Sequence, residues 1–153
     1  GRDTSELAAS GAQVVGADAA CSGLMLANQR LPGGRQLLGY VQSAAQSLPF
    51  ANAFFDGVYC FGLLHEFVGE RAPQDVAQTM HEIYRVLQPG GILILAVLAG
   101  DPAQGLPHVQ LFNEKMFDDA VVLFNCVEKR LAEDVSCTGA AGYKIWYGIF
   151  TKA

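Results

Sequence analysis

The sequence predicts an α/β protein with a doubly wound, mostly parallel sheet that ends in an antiparallel hairpin. Strand-like and helix-like patterns alternate through the first two thirds of the chain, the order expected of a parallel sheet covered by helices. The last two strand-like stretches are joined by residues 138–142, a connection too short for a parallel crossover. They are therefore predicted to pair as a hairpin.

Composition predicts a single globular domain over residues 1–153. Hydrophobic residues make up 51% of the chain and charged residues 16%, which excludes intrinsic disorder. The longest apolar run, Ile92–Ala99, is far shorter than the roughly 20 residues that span a bilayer. The net charge of −5 disfavours binding to nucleic acid or to an anionic membrane.

The cysteines are scattered and indicate a cytoplasmic protein. They lack the paired spacing of a zinc site and the density of a disulfide framework, so we predict no metal and buried thiols in a reducing compartment. The four cysteines are Cys21, Cys60, Cys126 and Cys137.

The first elements are delimited by turn and capping residues. Asp3 is predicted to be the N-cap of a short helix that ends at Gly11, with a capping-box pattern. A short buried strand follows over 13–18, and then a helix over 20–30 that Pro32-Gly33-Gly34 ends.

Two further strands are predicted over 37–42 and 55–61, the second apolar on both faces like an interior strand of a parallel sheet. The helix that begins at Pro73 has the clearest amphipathic period in the chain, and Pro89-Gly90-Gly91 ends it. Its apolar face comprises Val76, Met80, Ile83, Tyr84 and Leu87.

The remaining elements are a buried strand, a helix and the hairpin. The strand is predicted over 92–97 and the helix over 114–124. Strands over 127–137 and 143–152 form the hairpin.

Asp18 is the leading candidate site residue. Ligands of open α/β sheets bind beyond the carboxyl ends of the strands, where Asp18 lies. A carboxylate about 20 residues beyond a glycine-rich turn can accept both hydroxyls of a ribose. The alternative interpretation is a helix N-cap or a solvated loop acid.

An ordered set of motifs resembles the class I S-adenosylmethionine-dependent methyltransferases, most closely those acting on small molecules. The resemblance covers Gly1 to about Gly100 and implies their Rossmann-like fold, S-adenosyl-L-methionine as cofactor and a small-molecule methyl acceptor. It rests on Gly1-Arg2-Asp3-Thr4, Gly11 to Asp18, Leu48-Pro49-Phe50, Phe55-Asp56, Leu64-His65 and Arg85 to Gly91.

The resemblance also implies an incomplete domain. Family members place a strand and a glycine-rich turn before the first helix, and Gly1 matches the last glycine of that turn. We therefore expect the first, central strand to be missing and this fragment alone to be inactive. The oligomeric state is left open.

The resemblance assigns roles residue by residue. Asp18 corresponds to the ribose-binding acid, and Ala44 stands where the family has an acid that binds the adenine amino group. Phe61 and Cys60 lie on the methionine side, although core packing is the favoured role for Cys60. The cofactor-binding residues implied are Gly1, Arg2, Asp18, Ala19, Ala44, Ala45, Gln46 and Phe61.

His65 is the candidate catalytic base, since an imidazole titrates near neutral pH; the alternative is that it packs beside the following loop. Asp101 and His108 are weaker candidates, in the loop where acceptors bind in the family.

Two other functions compete with an active methyltransferase. The replacement of the adenine-binding acid by Ala44 is compatible with an inactive, methyltransferase-like binding or regulatory module. A nicotinamide dinucleotide-binding domain would use Asp18 in the same way, but the terminal hairpin argues against it.

Overall fold

A computed structural model describes residues 1–30, 36–105, 107–134 and 143–153. The chain forms two compact units, Gly1–Pro49 and Phe50–Ala153, and each is described by itself. Three sequence predictions lie outside the described residues: the helix stop at Pro32-Gly33-Gly34, the state of Cys137 and the hairpin connection 138–142.

The first unit contains two helices and a two-stranded parallel sheet. Its elements are α1 (Arg2–Ala9), β1 (Val14–Asp18), α2 (Cys21–Arg30) and β2 (Leu37–Gln42). The two strands pair in parallel, with Gly16 opposite Tyr40 and Asp18 opposite Gln42. A Cβ atom on Gly16 would lie 2.6 Å from the Tyr40 ring, so the aromatic side chain occupies the space that the glycine leaves.

The predicted capping box at Asp3 is wrong. Helix α1 begins at Arg2, with Gly1 as its N-cap and no side-chain cap. The amide and the hydroxyl of Ser5 both donate to the Gly1 carbonyl, at 3.0 and 2.9 Å. These bonds start the helix before Asp3, whose carboxylate instead accepts a bond from Arg2 Nε at 3.1 Å.

The second unit is built on a four-stranded mixed sheet with the order β3-β4-β6-β5. Strand β3 runs parallel to β4, and β6 is antiparallel to both of its neighbours, which confirms the predicted hairpin. The elements are β3 (Phe55–Phe61), a 3₁₀ turn (Leu64–Glu66), α3 (Ala72–Val86), β4 (Leu87–Ala99), α4 (Glu114–Ala120), β5 (Phe124–Asp134) and β6 (Tyr143–Lys152).

The predicted boundary between α4 and β5 is wrong by several residues. The helix ends at Ala120 and the strand already begins at Phe124. The ring of Phe124 packs edge-on against Tyr84, with 5.4 Å between the centroids, and only 9% of the residue is exposed. This contact with α3 draws Phe124 into the sheet, and the local helical pattern does not contain it.

The core of the second unit lies between the sheet and the helices α3 and α4. The predicted apolar face of α3 is confirmed for four of its residues, which are buried or pack against the core: Val76, Met80, Ile83 and Tyr84. Its fifth predicted member, Leu87, is buried but is the first residue of β4. Phe117 of α4 contacts Trp146 and Phe150 of β6, with ring centroids 5.9 Å apart in each case. Phe117 and Phe150 are fully buried.

The segment from Arg85 to Gly91 includes the end of α3, which hydrogen bonds hold to neighbouring parts of the chain. Arg85 donates to the Phe50 carbonyl and to Asn52 Oδ1, at 2.7 and 2.9 Å, and it also binds Glu82. Gly90 has φ of +76°, a conformation that favours glycine. Gly90 lies inside β4, where the register with β3 shifts, so its positive φ accommodates an irregularity of the strand. The helix has already ended at Val86, and the predicted helix stop at Pro89-Gly90-Gly91 is therefore wrong.

Lys152, on strand β6, caps the carboxyl end of α3. Its Nζ donates to the carbonyls of Tyr84 and Leu87, at 2.8 and 2.7 Å, and lies 4.5 Å from the centroid of the Tyr84 ring. A cation at this end of a helix also complements the helix dipole.

We expect Lys152→Met to lower the free energy of unfolding by about 2 kcal/mol, because two carbonyls lose a charged donor. Lys115→Met is the matched control, since Lys115 pairs with Asp119 on the surface and its loss is expected to change the free energy by less than about 0.5 kcal/mol. Urea unfolding measures both. Equal stabilities of the two variants would contradict the capping role.

Within the described residues, no helix is both long enough and apolar enough to span a membrane.

Candidate functional site

Asp18 is held in a defined orientation at the carboxyl end of β1. Its Oδ1 accepts a hydrogen bond from the Ala20 amide at 2.8 Å, and its backbone carbonyl accepts one from the Ser43 amide at 3.0 Å. The residue is exposed, and Gly23 presents no side chain to it: a Cβ there would lie 3.9 Å from Asp18 Oδ2. One carboxylate oxygen therefore caps the turn, as the alternative interpretation predicts, and the geometry leaves the carboxylate open to a ligand.

Gln42, the last residue of β2, contacts this turn and was not predicted from the sequence. Its Nε2 donates to the Ala19 carbonyl at 3.1 Å and so ties the end of β2 to the turn that carries Asp18. The signal was available, because Gln42 is the polar residue at the exit of the predicted neighbouring strand. The bond itself depends on the parallel register that places Asp18 opposite Gln42.

The predicted adenine segment forms a turn directly after β2. The Ala44 carbonyl accepts bonds from Ser43 Oγ and from the Ser47 amide, both at 3.1 Å. Ala44 is exposed, while Ala45 and Gln46 are half-buried. The Ser43 amide bond to Asp18 places this turn beside the ribose candidate within the same unit. Ala44, at the position where the resemblance implies an adenine-binding acid, carries only a methyl group.

Gly1 and Arg2 line a cavity of about 340 Å³ in the first unit. A Cβ on Gly1 would lie 2.7 Å from Ala27 Cβ, so the close approach of α1 and α2 requires a glycine. Gly23 also lines this cavity, and a Cβ on it would lie 3.9 Å from Asp18 Oδ2. The other lining residues are Ser5, Glu6, Leu26 and Ala27.

In the second unit, Phe61 and His65 lie at the carboxyl end of β3. The ring of Phe61 stacks on Tyr59 with the centroids 6.0 Å apart. His65 is 9% exposed, and its Nδ1 accepts a bond from the Leu98 amide at 3.2 Å. Burial lowers the pKa of His65, and the nearby Glu66 carboxylate opposes this effect only in part. The imidazole is therefore neutral at pH 7.

The weaker candidates lie beyond β4 and are exposed. Asp101 accepts a bond from the Ala103 amide at 2.9 Å and caps a short 3₁₀ turn over Pro102–Gln104. His108 is exposed to solvent.

Cys60 lies in the core of the second unit, as the packing interpretation favours, whereas the prediction of buried thiols is wrong for Cys21 and Cys126, which are exposed. It is 6% exposed, and burial raises its pKa to about 12. We expect iodoacetamide at pH 8 to modify the exposed Cys21 and Cys126 readily and Cys60 far more slowly, because the Cys60 thiol is buried and thiolate is the reactive species. Peptide mass spectrometry follows the three sites. Modification of Cys60 at the rate of Cys126 in the folded protein would contradict its burial.

Comparison with known proteins shows the family. The model of the methyltransferase domain family matches residues 1–95. The match covers more than half of the 153 residues, and the chain therefore belongs to this family. The positions carrying Asp18, the turn after β2 and the His65 segment all fall within the matched part.

Two curated relatives each match about three fifths of the chain. An uncharacterized methyltransferase of Synechocystis sp. is 39% identical over 98 residues, which are 64% of this chain and 42% of that protein. The ubiquinone/menaquinone biosynthesis C-methyltransferase UbiE of Pectobacterium carotovorum is 34% identical over 94 residues, 60% of this chain and 35% of that protein. The matched regions thus span about two fifths of the relatives' length or less.

A solved structure extends the likeness to nearly the whole fold. A SAM-dependent methyltransferase from Methanosarcina mazei superposes with a TM-score of 0.79 at 22% identity, covering 96% of this chain and 85% of that one. The α/β, Rossmann-like fold predicted from the sequence is confirmed by this likeness.

Proposed function

We propose that this chain carries the cofactor-binding part of an S-adenosylmethionine-dependent methyltransferase that acts on a small molecule. The observation that carries the proposal is Asp18, an exposed carboxylate fixed at the carboxyl end of β1 within the part of the chain that matches the family. The cytoplasmic location inferred from the cysteines stays a prediction.

The residues of the first unit fit the nucleoside part of this cofactor. Asp18 would accept hydrogen bonds from the ribose hydroxyls, with Oδ1 already oriented by the Ala20 amide. Ala44, Ala45 and Gln46 would border the adenine. Because Ala44 has no acceptor side chain, adenine recognition would depend on backbone groups and on Gln46. Gly1 and Arg2, which line the neighbouring cavity, would lie toward the amino-acid part.

Methyl transfer requires few chemical groups from the protein's own side chains. When bound, the cofactor supplies a methyl group on a positively charged sulfur. The protein has to align the acceptor with that methyl group and exclude water, and no protein nucleophile is needed. Phe61, at the exit of β3, offers an apolar wall suited to excluding water.

The acceptor is proposed to be a small molecule. Relatives named for ubiquinone and menaquinone biosynthesis are consistent with such an acceptor, although their matched regions cover about a third of their length. The acidic net charge of the chain also argues against a nucleic acid as the acceptor.

The inactive binding module remains the second candidate, and Ala44 is the observation that favours it. The two functions are distinguished by an activity assay on the full-length protein. Methyl transfer from labelled S-adenosylmethionine supports the enzyme, whereas binding without turnover over a panel of quinols and phenols supports the module.

Asp18→Asn tests the cofactor proposal most sharply. The asparagine keeps an oxygen for the Ala20 amide, so the turn is retained while the charge that would bind ribose is lost. We expect S-adenosylhomocysteine to bind about 10- to 100-fold more weakly, the loss of one or two charged hydrogen bonds, as measured by calorimetry.

Asp119→Asn is the control, since Asp119 is an exposed acid of α4 that pairs with Lys115 on the surface of the second unit. Its affinity should match that of the unaltered protein. Unchanged affinity of Asp18→Asn, with both variants folded, would overturn the assignment of Asp18.

A further inference from the structure

We propose that His65 is a positioning residue and does not act as a base. It holds the two ends of the segment 100–111 at the exit of β3, and its ring does so by accepting a hydrogen bond. The inference rests on the proposed function, because this segment carries Asp101 and His108 and corresponds to the loop where acceptors bind in the family. It replaces the catalytic role predicted from the sequence with one that the bonding geometry supports.

His65 bonds to chain on both sides of that segment. Its Nδ1 accepts from the Leu98 amide, which precedes the segment, at 3.2 Å. Its backbone carbonyl accepts from the amide of Gln110, at the returning end, at 2.8 Å. The Leu98 carbonyl in turn accepts from the Phe112 amide at 2.9 Å. One buried residue therefore connects the outgoing and returning ends to the turn after β3.

The bond to Leu98 decides which nitrogen of the ring is protonated. A backbone amide can only donate, so Nδ1 has to present its lone pair, and a neutral imidazole then carries its proton on Nε2. Nε2 lies 3.6 Å from Glu66 Oε1. A general base needs a free lone pair toward the acceptor, but the lone pair of His65 already binds the backbone.

The neutral state follows from the surroundings of the ring. Burial disfavours the imidazolium, and Glu66, which would favour it, has a side chain that is 56% exposed to water. Accepting the Leu98 amide also stabilises the unprotonated Nδ1. The ring is thus suited to a permanent structural bond.

The tautomer can be read directly on the unaltered protein. Long-range ¹H–¹⁵N correlation of the imidazole rings at pH 7 should show His65 with a proton on Nε2 and an unprotonated Nδ1; the spectrum of a His65→Asn variant assigns the signals. A proton on Nδ1, or a ring that titrates near pH 6.5, would overturn the proposal.

Two near-isosteric variants distinguish the effect of losing the hydrogen bond to Leu98 from the effect of losing the imidazole ring. In His65→Asn, the amide oxygen falls near Nδ1 and keeps an acceptor for Leu98. In His65→Gln, the amide group falls near Nε2 and that acceptor is lost. We expect hydrogen exchange at the Leu98 and Gln110 amides to stay within about twofold in the first variant and to accelerate about fivefold or more in the second.

His81→Asn is the control, because His81 is exposed on α3 and bonds only the Ala77 carbonyl of its own helix. It should leave both amides unchanged. Equal acceleration in His65→Asn and His65→Gln would overturn the acceptor role. These measurements need no methyl transfer, so a failure of the Asp18 test leaves them interpretable, and their failure leaves cofactor binding intact.

Discussion

Phe117→Ala is expected to lower the free energy of unfolding by about 3 to 5 kcal/mol, the cost of removing a buried aromatic ring and leaving a cavity. Phe117 is 0% exposed and is the contact through which α4, a helix of 7 residues, reaches the sheet. Its ring lies between those of Trp146 and Phe150. A helix this short depends on such packing for its stability.

Urea denaturation followed by tryptophan fluorescence measures the loss, and Trp146 reports on the site itself. Val122→Ala is the control, since Val122 is 77% exposed just beyond the same helix. Its stability should change by less than about 0.5 kcal/mol. A loss below about 1 kcal/mol for Phe117→Ala would show that α4 does not hold the core together.

Gly148→Ala is expected to cost about 1 to 3 kcal/mol by overpacking. A Cβ on Gly148 would lie 2.4 Å from the ring of Phe150, which is fully buried and turned back over the glycine. Neither the ring nor strand β6, held by neighbours on both sides, has room to move away.

Two comparisons make this prediction specific. Gly57→Ala in β3 is the matched control, because a Cβ there would meet only the Ile92 carbonyl, at 3.5 Å. Adding Phe150→Leu to Gly148→Ala should give a smaller loss than the sum of the two single losses, since the clash is relieved. Full additivity would mean that Phe150 is not the obstacle.

Much of the candidate site could be predicted from the residues at the carboxyl ends of the strands and from the order of the motifs. Asp18 could be found because a short apolar strand ending in an acid is readable locally, and the structure places it there. The departure at Ala44 was also visible from the sequence. Gln42 was missed because its bond to the Ala19 carbonyl joins strands separated by a helix, and no local pattern encodes that contact.

The role of His65 likewise depends on a partner that is distant in sequence. The sequence identified an imidazole at the exit of β3, and a base was the natural prediction from its ordinary pKa. The partner of Nδ1 is an amide 33 residues further along the chain. Only the pairing of β3 with β4 brings that amide to the ring, and burial then sets the protonation state.

By itself, the sequence determined the strands and the amphipathic face of α3, since apolar periodicity within a few residues dictates which side can be buried. The short connection likewise determined the antiparallel hairpin. Tertiary contacts decided where α4 gives way to β5, because Phe124 packs on Tyr84 of α3 and pairs with Lys152 of β6, partners that no local pattern encodes. They also decided what Lys152 binds and which nitrogen of His65 carries its proton, because these depend on partners far away in sequence.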